Sequence, residues 1–266
     1  SSIQPAEAIE HESSLLVERC EIRENSGGPG AYRGGPGLRR DIRLVSETGS
    51  LSVASNKNVI PPFGVNRGLA GAPNTFVVYR DGKALQPSDS PGNVANYPLK
   101  KDDVISISSS GGGGWGDPLA RDSNAVLLDV LGGLISLDSA EKVYGVVLKD
   151  MTIDLKATDN LRNKLSNDRV FFSVIVRPED GAVNGEEESY TYCELSPKAF
   201  ERLDLDSTAP IELVGPIGPV LRAWPRPSKK VPSGKVRISN LSKKMIGLTA
   251  DTPIEVRRLI FHSLTG

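Results

Sequence analysis

The sequence predicts a mainly β protein with short helices (α+β): a glycine-rich β body, a short helical segment, then a small β-barrel. Three observations carry that expectation. Clusters of glycine and proline interrupt short apolar runs over residues 25–37, 61–74 and 108–118, and such clusters break any regular element they enter. Between about 122 and 165 helix caps and helical apolar spacing replace them. From Asn167 the composition shifts again, to short strands separated by one-turn helices and Pro/Gly turns, which is the pattern of a small barrel. Two units follow, 1–166 and 167–266, in keeping with a chain of 266 residues.

Residues 14–23 mix apolar and charged side chains as a strand does, and Asn25-Ser26-Gly27-Gly28-Pro29-Gly30 ends it. Leu38–Leu44 and 51–55 read as a hairpin around Glu47-Thr48-Gly49. Strands follow at 76–79 and 103–107, with Asp81-Gly82 as a hairpin turn after the first. Asp122 or Ser123 caps a helix over 124–131, which Gly132-Gly133 stops. Asp138 or Ser139 starts a second through Tyr144, and 157–165 forms a third, amphipathic one. In the last hundred residues strands are expected at 170–177, 190–195, 211–214, 220–224, 234–239 and 254–259. Ser196-Pro197 opens a short helix there, 241–245 forms a helical turn, and 181–189 is a solvated acidic loop.

Composition excludes several classes. A net charge of -1 with dispersed Lys and Arg leaves no nucleic-acid footprint. Two distant cysteines, Cys20 and Cys193, exclude a disulfide scaffold and a cysteine zinc site, and suit a reducing cytoplasm. No apolar run reaches the ~18–20 residues of a membrane helix, and no signal peptide is visible. The first residue is Ser1 and the methionines are Met151 and Met245, so the chain reads as processed, trimmed or a piece of something longer. The histidines are His11 and His262. Neither offers a credible base for a Ser-His-Asp arrangement, and His11 beside Glu7, Glu10 and Glu12 fits no standard metal spacing. No metal site is expected in this chain.

Four stretches occur in a telling order: Pro-Ala-Glu-Ala-Ile-Glu at 5–10, the glycine segment at 24–37, Gly111 to Asp117 running into Pro118-Leu119-Ala120-Arg121-Asp122, and 126–145. Together they resemble the C-terminal region of hydantoinase B/oxoprolinase subunits over the first 165 residues. Asn25 departs from the Asp usual there. The resemblance implies an ATP-dependent amidohydrolase complex that opens a cyclic amide (hydantoin, oxoproline or lactam) through a phosphorylated intermediate. A related ketone carboxylase, such as acetophenone carboxylase, is equally compatible, and a non-catalytic assembly or docking subunit is the rival from another class. The family's larger N-terminal part, which carries metal-binding residues, is absent from this sequence. ATP and a divalent metal are therefore expected in partner subunits, none bound by this chain alone. The implied partners are a hydantoinase A-like ATP-binding subunit and a chain supplying the hydantoinase B N-terminal part. Residues 195–203, 234–241 and 251–257 are similar to double-psi β-barrel domains.

No catalytic residue is identifiable. The candidate substrate- or interface-binding residues are Arg33, Gly34, Gly35, Arg67, Gly112, Gly113, Trp115 and Asp117. Glycine-rich backbone either cradles an anion with its N–H groups or packs closely against a neighbour. No Lys-Ser/Thr follows the run, so it is not a P-loop. Arg33 and Arg67 offer bidentate forks for a carboxylate or phosphate, or else hold their loops by ion pairs. Trp115 reads as an anchor packing the loop down, and Asp117 before Pro118 as a turn residue.

Overall fold

The computed structural model describes residues 4–177, 191–248 and 252–259. The expected acidic loop at 181–189, Ser1 and His262 lie outside them. Helix α1 (Ala6–Glu12) leads into β1 (Leu15–Ile22). An antiparallel sheet places β1 beside β2 (Leu38–Leu44), and the strands β4 (Thr75–Arg80), β5 (Lys83–Leu85) and β7 (Val104–Ser108) complete the order β1-β2-β7-β4-β5. The Asp81-Gly82 turn forms as expected, with φ of 50° and 73°.

The expected hairpin at 38–55 does not form. β3 (Thr48–Ala54) leaves the sheet and pairs with β6 (Asn93–Lys100). The cause lies at Leu44, which is buried and whose N–H and C=O are taken by Asp103 O and Asp102 N, so the chain turns away at the sheet's edge. Gly49 then closes over it, where a Cβ would stand 3.0 Å from a Leu44 methyl. Leu44, Val78, Leu99 and Ile105 form the small core between sheet and ribbon.

The helical segment follows. Asp117 caps a single 3₁₀ turn, Pro118–Ala120, and Asp122 caps α2 (Ser123–Leu131) through Ala125 N. α3 (Leu137–Lys142) starts earlier than expected because Ser136, not Asp138 or Ser139, accepts from Ser139 N. Ser136 is fixed in turn by Asn25, whose Oδ1 accepts from Ser136 N and whose Nδ2 donates to Ser136 Oγ. A short ribbon, β8 (Leu148–Lys149) and β9 (Thr152–Ile153), precedes α4 (Leu155–Asn167), which Asp154 caps. Val126, Ile135, Ala140, Tyr144 and Val146 are the core of this segment.

The barrel begins at β10 (Phe171–Val176) and continues through β11 (Tyr192–Leu195), α5 (Pro197–Arg202), β12 (Ile211–Val214), β13 (Leu221–Pro227), β14 (Lys235–Ile238), α6 (Asn240–Met245) and β15 (Ile254–Arg258). It closes in the order β10-β14-β11-β13-β12-β15. Exchanging β10 with β13, β11 with β14 and β12 with β15 maps the set of pairings onto itself with every sense kept: parallel β10–β14 becomes parallel β13–β11, antiparallel β10–β15 becomes β13–β12, and β11–β14 and β12–β15 map onto themselves. The sequence carries the same repeat. Leu195-Ser196 and Pro210-Ile211-Glu212-Leu213 in one half match Ile238-Ser239 and Pro253-Ile254-Glu255-Val256 in the other, at identical spacing. Two interleaved halves of this kind make the double-psi arrangement.

Candidate functional site: the glycine-rich junction

The glycine clusters converge. The run at 111–114 threads between the loops at 26–37 and 64–72, and backbone meets backbone throughout. Gly111, Gly112, Gly114, Trp115 and Gly116 donate to the carbonyls of Ala72 (3.3 Å), Gly35 (2.9 Å), Leu69 (3.0 Å), Tyr32 (2.9 Å) and Val65 (2.9 Å). These five N–H groups are spent inside the chain, and an N–H bonded to a carbonyl has nothing left to aim at a phosphate. The glycines are needed for space. A Cβ at Gly113 would fall onto the Phe63 carbonyl and one at Gly34 onto the Gly112 carbonyl, whereas Gly112 and Gly35 face outward with room for one.

Arg33 anchors its loop rather than reaching outward. Its Nε and Nη2 donate to Asp129 at 3.2 and 3.4 Å, its Nη1 to Gly34 O at 2.8 Å, and Arg121 meets the same carboxylate at 2.8 Å. Asp129 on α2 thus ties the helical segment to the glycine loop.

Arg67 sits in left-handed backbone (φ 75°) on the side facing the barrel. Its Nη2 meets Glu255 of β15 at 3.2 Å, and its Nε lies 3.7 Å from Asp117. Asp117 takes a two-pronged bond from Arg169 at 2.6 and 2.7 Å while capping Leu119 N. Burial alone would raise its carboxyl, but Arg169, the Leu119 N–H and Arg67 together hold it below the usual carboxylate range. The equivalent glutamate of the other half-barrel, Glu212, is 1% exposed between Arg222 and Arg257. Those arginines also donate across the junction, Arg222 to Pro61 O and Arg257 to the carbonyls of Arg67 and Gly68. Of the pseudo-symmetric glutamates, Glu212 therefore holds the two barrel arginines that clamp the glycine-rich body, and Glu255 takes the body's own Arg67.

Trp115 does not pack the loop down. Its backbone is held, but its side chain is 49% exposed and leans on Tyr32 at 5.5 Å and 58°. Sequence reasoning missed Arg169, Arg222, Arg257 and the two glutamates; the half-barrel repeat was a signal for the glutamates, Glu212 and Glu255. It also missed Arg23, which is 5% exposed at the end of β1. Among the described residues no group of three or more His, Cys, Asp or Glu is placed to hold a metal ion, and no helix is long and apolar enough to cross a membrane.

Residues 1–118 match the hydantoinase B/oxoprolinase family. That region belongs to the family. It is 33% identical over 159 residues to the B component of a putative D-/L-hydantoinase from a Pseudomonas strain, covering 59% of this chain and 26% of that protein. The crystal structure of an ATP-dependent caprolactamase from Pseudomonas jessenii superposes with a TM-score of 0.51 and 28% identity, over 60% of this chain and 28% of that one. An acetone carboxylase shares the fold at TM-score 0.51 and 21% identity, over 63% of this chain and 27% of its own. The chain spans about a quarter of the length of the first curated relatives it matches.

Proposed function

We propose that this chain is the C-terminal portion of a hydantoinase B-type subunit in an ATP-dependent complex that opens a cyclic amide, such as a hydantoin, oxoproline or lactam, through a phosphorylated intermediate. The observation that carries the reading is the match of residues 1–118 to the family, extended by the superposition on the caprolactamase. Phosphorylation converts a poor electrophile into one with a good leaving group, and ATP hydrolysis drives the ring opening. The chain's own candidates are engaged in structure: Arg33 and Asp117 are ion-paired, and the glycine run is hydrogen-bonded inward. In this reading reactive groups, ATP and a divalent metal reside in partner subunits, a hydantoinase A-like ATP-binding chain and a chain with the hydantoinase B N-terminal part. The present chain shapes the scaffold they act on, in the cytoplasm.

Native mass spectrometry of the purified complex tests the partnership, and turnover of hydantoin, 5-oxoproline and caprolactam tests the chemistry. The expected result is ADP formed in step with ring opening, only when this chain and both partners are present. ADP formation that requires bicarbonate and a ketone would move the reading to a carboxylase. Equal turnover without this chain would refute a role in the reaction and leave assembly.

A further inference from the structure

One stretch of the barrel's outer wall gathers positive charge, and strand register sets it. Along β11 Cys193 and Leu195 are buried inside the barrel, so Tyr192 and Glu194 face outward. Glu194 pairs in register with Arg226 of β13 on one side and with Arg237 of β14 on the other, each about 5 Å away across the strand gap. Lys235 shares the face of Arg237 on β14. Lys229 and Lys230 lie in the turn before that strand, drawn in by Arg237 Nη2, which donates to Lys230 O at 2.9 Å. Arg177 reaches the same place from the end of β10, where its Nη2 donates to Tyr192 O at 3.3 Å.

Among the described residues Glu194 is the carboxylate paired with this group, and it meets Arg237 at 3.4 Å. Arg226 is exposed and makes no hydrogen bond or ion pair among the described residues. Its guanidinium lies over the Tyr192 ring at 4.1 Å, and that of Arg177 over the same ring at 3.6 Å. Stacking on the ring holds both cations in place without neutralising either. Burial pulls Arg177 below its ordinary range, and the charges of Arg226 and Arg237 push the same way while Glu194 opposes them. In a chain of net charge -1, three guanidiniums and three lysines around one carboxylate are an excess made by placement.

We propose that this wall docks an acidic peptide segment of another protein, with the exposed Arg226 taking one carboxylate in a bidentate bond and Arg237 and the lysines surrounding the rest. An arginine fork matches a planar carboxylate in two parallel bonds. The outer wall of a closed barrel is convex, which suits a segment lying across it rather than a small molecule enclosed by it. The Tyr192 ring already carries two guanidiniums, so it is not an open platform on which a nucleic-acid base would stack. The surface lies beyond residues 1–118, the part matched to the family, and is independent of the proposed reaction.

The test uses the full chain and the fluorescence anisotropy of labelled hexaglutamate, with hexaglutamine as its neutral control and hexauridylate as a nucleic acid. The expected result is saturable binding of hexaglutamate and none of hexaglutamine. Binding should weaken at least tenfold in Arg226→Glu and stay unchanged in Lys83→Glu, which makes a charge reversal on β5 of the body. Should Arg226→Glu fail to fold, Lys229→Glu with Lys230→Glu is expected to weaken binding at least threefold. Absence of saturable hexaglutamate binding would overturn the proposal, as would equal weakening by Lys83→Glu, equal binding of hexaglutamine, or tighter binding of hexauridylate. Binding that appears only when Glu186, Glu187 and Glu188 are changed to Gln would also overturn it, because the arginines would then serve the chain's own carboxylates.

Discussion

The glycine-rich body and the barrel solve the same problem by opposite means. Among the described residues the barrel buries fourteen apolar side chains in one cluster, with Leu195, Leu213, Ile238 and Ile254 fully enclosed. Its stability comes from apolar area removed from water, ~25 cal/mol per Å². The sheet and ribbon of the body enclose a cluster of four. What joins the body's loops is backbone packed on backbone, stabilised by hydrogen bonds each contributing only ~1 kcal/mol net, with glycines that lose more conformational entropy on folding than other residues. Such a weave depends on support from outside. Arg222 and Arg257 from the barrel, and Arg169 just before it, supply that support at Pro61, Arg67, Gly68 and Asp117. Where its chains cross, as at Gly34 and Gly113, the body has no room for an added atom, whereas the barrel depends on the atoms that fill it.

The largest expected effect breaks the body alone. Gly113→Val drives its side chain into the Phe63 carbonyl, a clash that costs about 3 kcal/mol or more. The aromatic near-UV signal of Tyr32 and Trp115 should collapse, while Cys193, enclosed in the barrel with its thiol pushed up to about 12 by burial, stays unreactive to alkylation. Glu212→Gln reverses the pattern. It strips Arg222 and Arg257 of their buried carboxylate, for which ~3–5 kcal/mol is the usual cost, and Cys193 should become reactive at lower urea than in the parent chain.

Acid should loosen the junction between the two. Asp117 is held below the usual carboxylate range, so its contribution is present above the unfolded-state pKa of ~3.9 and is lost as pH falls through the lower folded value. The melting temperature should drop below about pH 4, less steeply in Asp117→Asn, as read by calorimetry across pH 2–6. The smallest effect is the control: Gly112→Ala meets nothing nearer than 3.4 Å and should leave stability unchanged or raise it by ~0.4–1 kcal/mol through the unfolded chain, in the same urea titration.

Local chemistry was readable where one residue decides the outcome. Asp122, Ser196 and the Asp81-Gly82 pair announced a cap, a cap and a turn, and all three formed. The hairpin at 38–55 misled because its alternation is genuine but its partners are not local: β2 pairs with β7 and β3 with β6, choices made by the burial of Leu44. At the candidate site, glycine abundance told where chains meet but not which N–H groups remain free, since that depends on carbonyls some forty to eighty positions away. Arg23 was illegible for the same reason. Nothing beside it in sequence reveals that it is buried against the Pro73 and Ser109 carbonyls.

Amide hydrogen exchange at Gly111, Gly112, Gly114, Trp115 and Gly116 tests most directly whether the glycine run is structure or anion cradle. Protection of these amides in the chain alone, unchanged when phosphate is added, is the result expected from their inward hydrogen bonds. Rapid exchange that slows only with phosphate would contradict it and restore the run as a binding site.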